Sequence, residues 1–229
     1  MNQKSAISKI NKKGLLLVFP INNKKEPESL WNQFFPRKKM KWEWDDTGDN
    51  HVFEMWSLMK NLSDSGHVVY SKWYQGRATF FSKELFTAFL CVGRANFKST
   101  QQLSRAAREI FETLESDSPL STKQLKKICE LQGKDNERIY NRAMKELFTK
   151  FLIVAYGEVD DGAFPSLAVG STGHLFEDLL LQSQKMKISE ARALIDKYLP
   201  EGSFFRKFYD RINLKVSQYG KVPLNLQNL

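Results

Sequence analysis

Between positions 134 and 145 the sequence sets Lys134, Arg138, Asn141, Arg142 and Lys145 at helical spacing. At 100° per residue, with Arg138 at zero, Lys134, Arg142 and Lys145 fall within about 40° of it and Asn141 lies beside them. Ile139, Tyr140, Ala143, Met144 and Leu147 fall on the opposite side. Such a helix offers cations and an amide to solvent while its apolar side holds it to a scaffold. Groups of this kind bind phosphates and reach base edges in a major groove. The same pattern also fits a solvated basic face on a core helix.

A second basic group surrounds an expected hairpin at residues 68–81. Val68-Val69-Tyr70-Ser71-Lys72-Trp73-Tyr74 is rich in strand formers, Gln75-Gly76 turns it, and Arg77-Ala78-Thr79-Phe80-Phe81 returns. Lys72, Arg77 and the Thr79 hydroxyl around its turn suit phosphate contacts. The competing reading is an ordinary hairpin packed by Trp73, Phe80 and Phe81. Asp45, Asp46, Asp49 and His51 form one acidic cluster with a nearby His. Oxygen-rich loops bind hard cations, but this spacing is not that of an EF-hand, and a solvated turn and helix cap is the expectation. No metal site, cofactor or catalytic residue is assigned: the sequence contains no GxSxG, HExxH, P-loop or GxGxxG.

The elements that must position these groups follow from hydrophobic period and caps. Residues 1–13 are polar and basic and are expected to be a mobile end. Gly14-Leu15-Leu16-Leu17-Val18-Phe19 reads as a buried strand. A short helix opens near Leu30-Trp31 and stops before Pro36. Trp42-Glu43-Trp44 alternates like a strand, and an acidic loop follows it. Val52, Phe53, Trp56, Met59 and Leu62 recur at helical spacing. Ser82 caps a helix carrying Leu85, Phe86, Phe89 and Leu90. Three helices are then expected, at about 101–115, 122–131 (with Leu125 and Ile128 buried) and 135–150. Strands at 151–156 and 164–169 come next, joined by a turn at Val159-Asp160-Asp161-Gly162-Ala163. That order reads as a helix-turn-helix followed by a β-hairpin wing. Helices at about 171–184, 189–199 and 204–216 follow, then a loose tail.

The chain is 229 residues long, with 13% aromatic residues, 17 of them Phe, which excludes a disordered chain. The expected class is α+β, mainly helical. Residues 1–100 form a mixed module with the basic hairpin, itself readable as a divergent winged helix; 101–170 form a winged helix; 171–229 form C-terminal helices. The net charge of +9 favours anionic partners. It is unevenly spread. Residues 1–100 carry 16 basic against 9 acidic side chains, 101–170 carry 10 against 11, and 171–229 carry 9 against 6. DNA binding would therefore need the N-terminal segment as well. Cys91 and Cys129 fit no metal or redox spacing and are expected as buried reduced thiols. The apolar runs at 15–21 and 86–92 are too short for a bilayer, which needs about 20 residues. The start lacks a signal-peptide pattern, so a cytoplasmic protein away from membranes is expected.

Several segments together resemble the AlkZ-related winged-helix proteins, relatives of the AlkZ/YcaQ DNA glycosylases. The most distinctive is Tyr70-Ser71-Lys72-Trp73-Tyr74-Gln75-Gly76-Arg77-Ala78-Thr79-Phe80-Phe81-Ser82-Lys83-Glu84-Leu85, with its Lys-x4-Arg-x-Thr-Phe-x-Ser run. Ala143-Met144-Lys145-Glu146-Leu147, Phe151-Leu152-Ile153-Val154, Gly157 and Gly162-Ala163-Phe164 add to it, with Phe19-Pro20-Ile21 and Leu30-Trp31 upstream. The likeness covers roughly residues 15–180 and implies a winged-helix fold and DNA binding. The glycosylases use a Gln-x-Gln motif close to their N-terminus. The first hundred residues here contain none, and Gln182-Ser183-Gln184 lies late, so no catalytic role is carried over.

The expected function is thus a non-enzymatic winged-helix protein that binds double-stranded DNA through Lys134, Arg138, Asn141, Arg142 and Lys145, with Lys72, Arg77 and Thr79 on phosphates. Two alternatives stand beside it. One is an interaction module that docks the basic helix on an acidic protein partner. The other is a glycosylase-type repair enzyme with Trp73, Tyr74 or Gln75 near a flipped base.

Overall fold

The computed structural model describes residues 1–41, 50–97, 99–159 and 165–219, with side chains to 213. The expected strand at Trp42-Glu43-Trp44, the aspartates of the acidic loop, the turn at 160–163 and the tail beyond 219 lie outside the described residues. The chain is α+β and mainly helical, built around one six-stranded antiparallel sheet.

The chain opens with α1 (Gln3–Lys13), and the expectation of a mobile end is corrected here. Asn2 accepts a hydrogen bond from the Lys4 amide, and Ala6 and Ile10, one turn apart, are fully buried. Two small apolar contacts anchor an otherwise lysine-rich helix, a stripe too thin to stand out in the sequence. The helix ends at Gly14, whose φ of +78° suits glycine, and an added Cβ there would lie 2.5 Å from the Tyr198 ring.

The sheet begins with β1 (Leu15–Leu17), buried on both faces. After α2 (Leu30–Phe34) and α3 (Asn50–Ser63) come β2 (Val69–Ser71) and β3 (Thr79–Phe81). The hairpin is real, but each strand has three residues and its connection is longer than a two-residue turn, with Gln75 and Gly76 at positive φ. Ser82 caps α4 (Lys83–Asn96), accepting from the Leu85 amide, as its sequence indicates. α5 (Arg105–Ser116) starts later than its periodicity suggests, behind a single 3-10 turn. A two-residue strand missed in the sequence, β4 (Leu120–Ser121), precedes α6 (Thr122–Ile128) and α7 (Lys134–Thr149). β5 (Ile153–Val159) and β6 (Ser166–Ser171) form the second hairpin. The helix expected from 171 to 184 is broken into α8 (Thr172–Leu175) and α9 (Glu177–Lys185). Then come α10 (Ile188–Tyr198) and α11 (Phe204–Tyr219).

The strand order is β1-β3-β2-β5-β6-β4. β4 lies beside β6 through Leu120–Val169 and Ser121–Ala168, and β2 joins β5 through Tyr70 and Ala155. The expected boundary at residue 100 falls between α4 and α5, while the sheet runs across it. Because successive strand residues point to opposite faces, Leu16, Tyr70, Phe80, Ile153 and Ala155 enter one core with α1, α2, α3, α5, α6 and α7. Leu15, Leu17, Val69, Phe81 and Val154 enter a second core with α4, α9, α10 and α11. Cys91 is buried as expected, whereas Cys129 is half-buried; both are free thiols. Ile128 (54% exposed) and Ile139 (49%) correct the expectation that they pack inward. Ile128 closes a short helix just before a turn, and Ile139 sits at the edge of the buried stripe of α7.

Phe151 is the hub of the second core. Its ring stacks on Phe89 at 4.9 Å and lies 5.9 Å from Trp73, 5.5 Å from Phe86 and 6.0 Å from Phe81. Its φ of +58° turns the chain sharply after α7. In denaturant unfolding, Phe151→Ala should cost about 3–5 kcal/mol. Gly14→Ala should cost more than about 1 kcal/mol, and Phe53→Ala, at 64% exposure, within about 0.5 kcal/mol.

Candidate nucleic-acid interface

α7 is seated by a tight connection from α6. Ser121 and Gln124 form a reciprocal cap at the start of α6: the Gln124 amide donates to Ser121 Oγ at 3.1 Å and the Ser121 amide to Gln124 Oε1 at 2.8 Å. Glu130 and Gly133 take positive φ, and the Asn136 side-chain amide donates to the Gln132 carbonyl at 3.0 Å, closing the turn. Tyr140, Ala143, Met144, Leu147 and Phe148 then face the first core, next to Ala107, Ile110 and Leu114 of α5. At its far end Glu146 accepts from the Ser104 hydroxyl at 2.7 Å and the Ser104 amide at 3.4 Å. This tie explains why α5 begins at Arg105: the Ser104 hydroxyl donates across to Glu146 instead of capping its own helix.

This burial leaves Lys134, Arg138, Asn141, Arg142 and Lys145 all exposed on one side. Among the described residues no carboxylate pairs with Lys134, Arg138, Arg142 or Lys145. Asn141 is engaged, its amide donating to Glu137 Oε1 at 3.2 Å. Glu137 also accepts from Lys126 at 2.6 Å, and these bonds, that to Lys126 first, hold its carboxyl below the usual range. Lys126 in turn sits 4.7 Å over the Tyr140 ring.

The hairpin residues fare differently. Thr79 is fully buried and its hydroxyl donates to the Arg77 carbonyl at 2.9 Å, which places it inside the sheet. Lys72 is half-buried; desolvation pushes its ammonium down, partly countered by Glu158 on the neighbouring strand β5. Arg77 is exposed. It borders a small hollow with Phe19, Pro20, Asn22, Asn23 and Met40. Trp73 and Tyr74 are buried in the second core.

The link between hairpin and helix runs through α11, which was not singled out in the sequence. Tyr74 packs against Phe205 at 5.0 Å and Phe208 at 4.9 Å. Burial raises its hydroxyl pKa, and Arg211 and then Arg77 draw it back, so both guanidinium groups lie in its neighbourhood. Arg211 also lines, with Arg142, Lys145 and Lys150, a cleft of about 820 Å³ between α4, α7 and α11. The basic residues of 204–213 were the available signal for Arg211, but only the packing of α11 on Tyr74 sets it beside α7. α11 is held on α10 by Arg206, which reaches Asp196 at 2.6 Å and Asp210 at 2.9 Å. Gln182 and Gln184 are exposed on α9 with Ser183 buried between them, and neither glutamine lines this cleft.

His51 stacks on Phe35 at 4.2 Å and sits 2.6 Å from the Lys38 ammonium, while the aspartates expected near it lie outside the described residues. Among the described residues no group of His, Cys, Asp and Glu could hold a metal, and no helix is long and apolar enough to cross a membrane.

Fold and site together define a mainly helical α+β protein that presents, beside an aromatic cleft, a helix face whose cations make no ion pair among the described residues. The chain matches the AlkZ-related family over residues 1–203 and belongs to it. No curated protein and no solved structure matches it.

The half-buried Lys72 gives a test of this geometry. Its folded pKa is depressed, so the unfolded chain holds its proton to higher pH. The stability it withholds is regained as pH rises from the lowered value towards the ordinary 10.5. Urea midpoints should show this rise as pH approaches 10.5, relative to Lys72→Met, which removes the titration; parallel profiles would contradict it.

Proposed function

We propose that this protein is a winged-helix, non-enzymatic, duplex-DNA-binding protein of the cytoplasm, with α7 as its recognition helix and the β5–β6 hairpin as its wing. The observation that carries the reading is the outward row of Arg138, Arg142 and Lys145 on a helix whose other side is pinned in the core. A basic row that makes no ion pair among the described residues keeps its charge for phosphates, and Arg can also reach base edges bidentately. The order α5, β4, α6, α7, β5, β6, with β4 lying beside β6, supports the winged-helix assignment. Membership of the AlkZ-related family supports the link to DNA repair.

Lys134 and Lys145 are assigned to phosphates, and Arg138 and Arg142 to phosphates or base edges. Asn141 reaches a base only by exchanging its bond with Glu137. Arg77 and Arg211 extend the contact towards the hairpin. The buried Thr79 and the half-buried Lys72 are left out of the contact set.

A second reading, docking on an acidic protein partner, is favoured by the exposed Ile128 and Ile139 near the same face. The two separate cleanly by salt and by substitution. Duplex affinity should fall about 10³-fold between 50 and 200 mM salt for about six phosphate contacts. Arg142→Gln should lower the log–log salt slope by about 1, with an unchanged thermal melt. A flat salt response, with binding to an acidic partner lost on Ile139→Ser, would overturn the DNA reading. Release of a base from an alkylated duplex would overturn its non-enzymatic part.

A further inference from the structure

The cleft between α4, α7 and α11 has properties that duplex binding does not require. At about 820 Å³ it lies within the range of small-molecule sites. One side is aromatic, with Phe89, Phe97, Phe151 and Phe208 among its lining, and Phe89 and Phe151 are stacked against each other. The other side is cationic. Lys150 lies 5.6 Å from the centre of the Phe97 ring and Arg211 5.3 Å from that of Phe208, so two of the cations already rest on aromatic faces. Arg142 and Lys145 pair with no carboxylate among the described residues. Among the described residues Glu146 is the one carboxylate in the lining, and it is occupied by Ser104. A partly apolar wall, with Phe97, Tyr209 and Ile212 half-exposed and Phe89, Phe151 and Phe208 buried behind it, stands beside several cations and one spoken-for anion, and matches a ligand with a flat ring and a negative group.

α4 adds an independent feature. Gly93 sits on the cleft wall in a helical segment, and a Cβ placed there would meet no atom within 4 Å. The helix backbone does not demand glycine at this point, since its φ is not positive. A side chain at 93, on a residue of the cleft lining, has room to be added without a clash.

We infer that this cleft binds a small aromatic anion, its ring against the half-exposed Phe97, Tyr209 and Ile212 and its phosphate or similar group on Arg142 and Lys145. The site deepens the DNA-binding reading and rests on it in one respect: Arg142 and Lys145 serve both, so ligand and duplex compete. A soluble effector of this chemistry would then lower duplex occupancy.

The probe is 1-naphthyl phosphate, titrated calorimetrically into the full chain with no DNA present. It should bind at least tenfold more tightly than 1-naphthol, which lacks the charge, and than inorganic phosphate, which lacks the ring. Adenosine monophosphate in a parallel titration separates nucleotides from other aromatic anions: binding as tight as the naphthyl probe assigns the site to nucleotides, and weaker binding to ring anions other than nucleotides. Gly93→Phe should abolish probe binding while leaving duplex affinity in the absence of probe unchanged, because it fills the cleft and removes no cation. Arg142→Gln should weaken the probe at least fivefold. Absence of binding at millimolar probe, equal binding of naphthol and naphthyl phosphate, or binding that survives Gly93→Phe in a protein with a wild-type melt would overturn the inference. A protein that binds the probe but ignores duplex sinks the nucleic-acid reading and leaves the cleft assignment standing. One that binds both without competition overturns the sharing of Arg142 and Lys145.

Discussion

The pairing of β2 with β5 at Tyr70 and Ala155 is the seam on which the molecule depends. It fuses an N-terminal three-stranded sheet to a C-terminal one, and so creates a single surface with two buried faces. Strand alternation does the rest, sending neighbouring residues such as Phe80 and Phe81 into different cores. Helices packed on both sides leave little of the sheet in water, which accounts for strands as apolar as Leu15-Leu16-Leu17 in an antiparallel sheet.

Phe151 carries that seam into the functional surface. Leu147 and Phe148 at the end of α7 belong to the first core, and three residues later the left-handed turn at Phe151 delivers its ring to the second. The chain thus crosses from one face of the sheet to the other within a few residues. One end of α7 is thereby brought beside α4 and α11, and the cleft is the space left where the three helices fail to close. The electrostatics follow from the same packing. Carboxylates near α7 are used locally, Glu137 by Lys126 and Asn141, and Glu146 by Ser104. Among the described residues Arg138 and Arg142 receive no share of them. A positive face arises here from how the acids are spent, although residues 101–170 carry slightly more acid than base.

Much of this was legible in the sequence where a pattern was long or chemically marked. Ser82 before Leu85-Phe86 announced α4, and Tyr140, Ala143 and Leu147 announced the buried side of α7 together with its exposed basic side. Short or sparse signals were not. Ala6 and Ile10 are too few to betray α1, and a two-residue strand such as β4 has no period to read. Thr79 and Lys72 were misjudged for another reason. Residue type suggested surface groups, but Thr79 is paired on both sides in the sheet, with Leu17 and Ser71, and Lys72 is half-buried just after β2. The same holds for Arg211, whose place beside Arg142 depends on Phe205 and Phe208 finding Tyr74.

The claim on which the account turns is that the outward guanidinium groups of α7 meet a polyanion. Arginine modification by phenylglyoxal, read residue by residue by mass spectrometry with and without duplex DNA, addresses it directly. Arg138 and Arg142 should be shielded by duplex at low salt and exposed again at high salt. Arg192, exposed on α10 and outside the proposed contact set, should react equally in both. Equal modification of Arg138 and Arg142 with and without duplex would contradict the account.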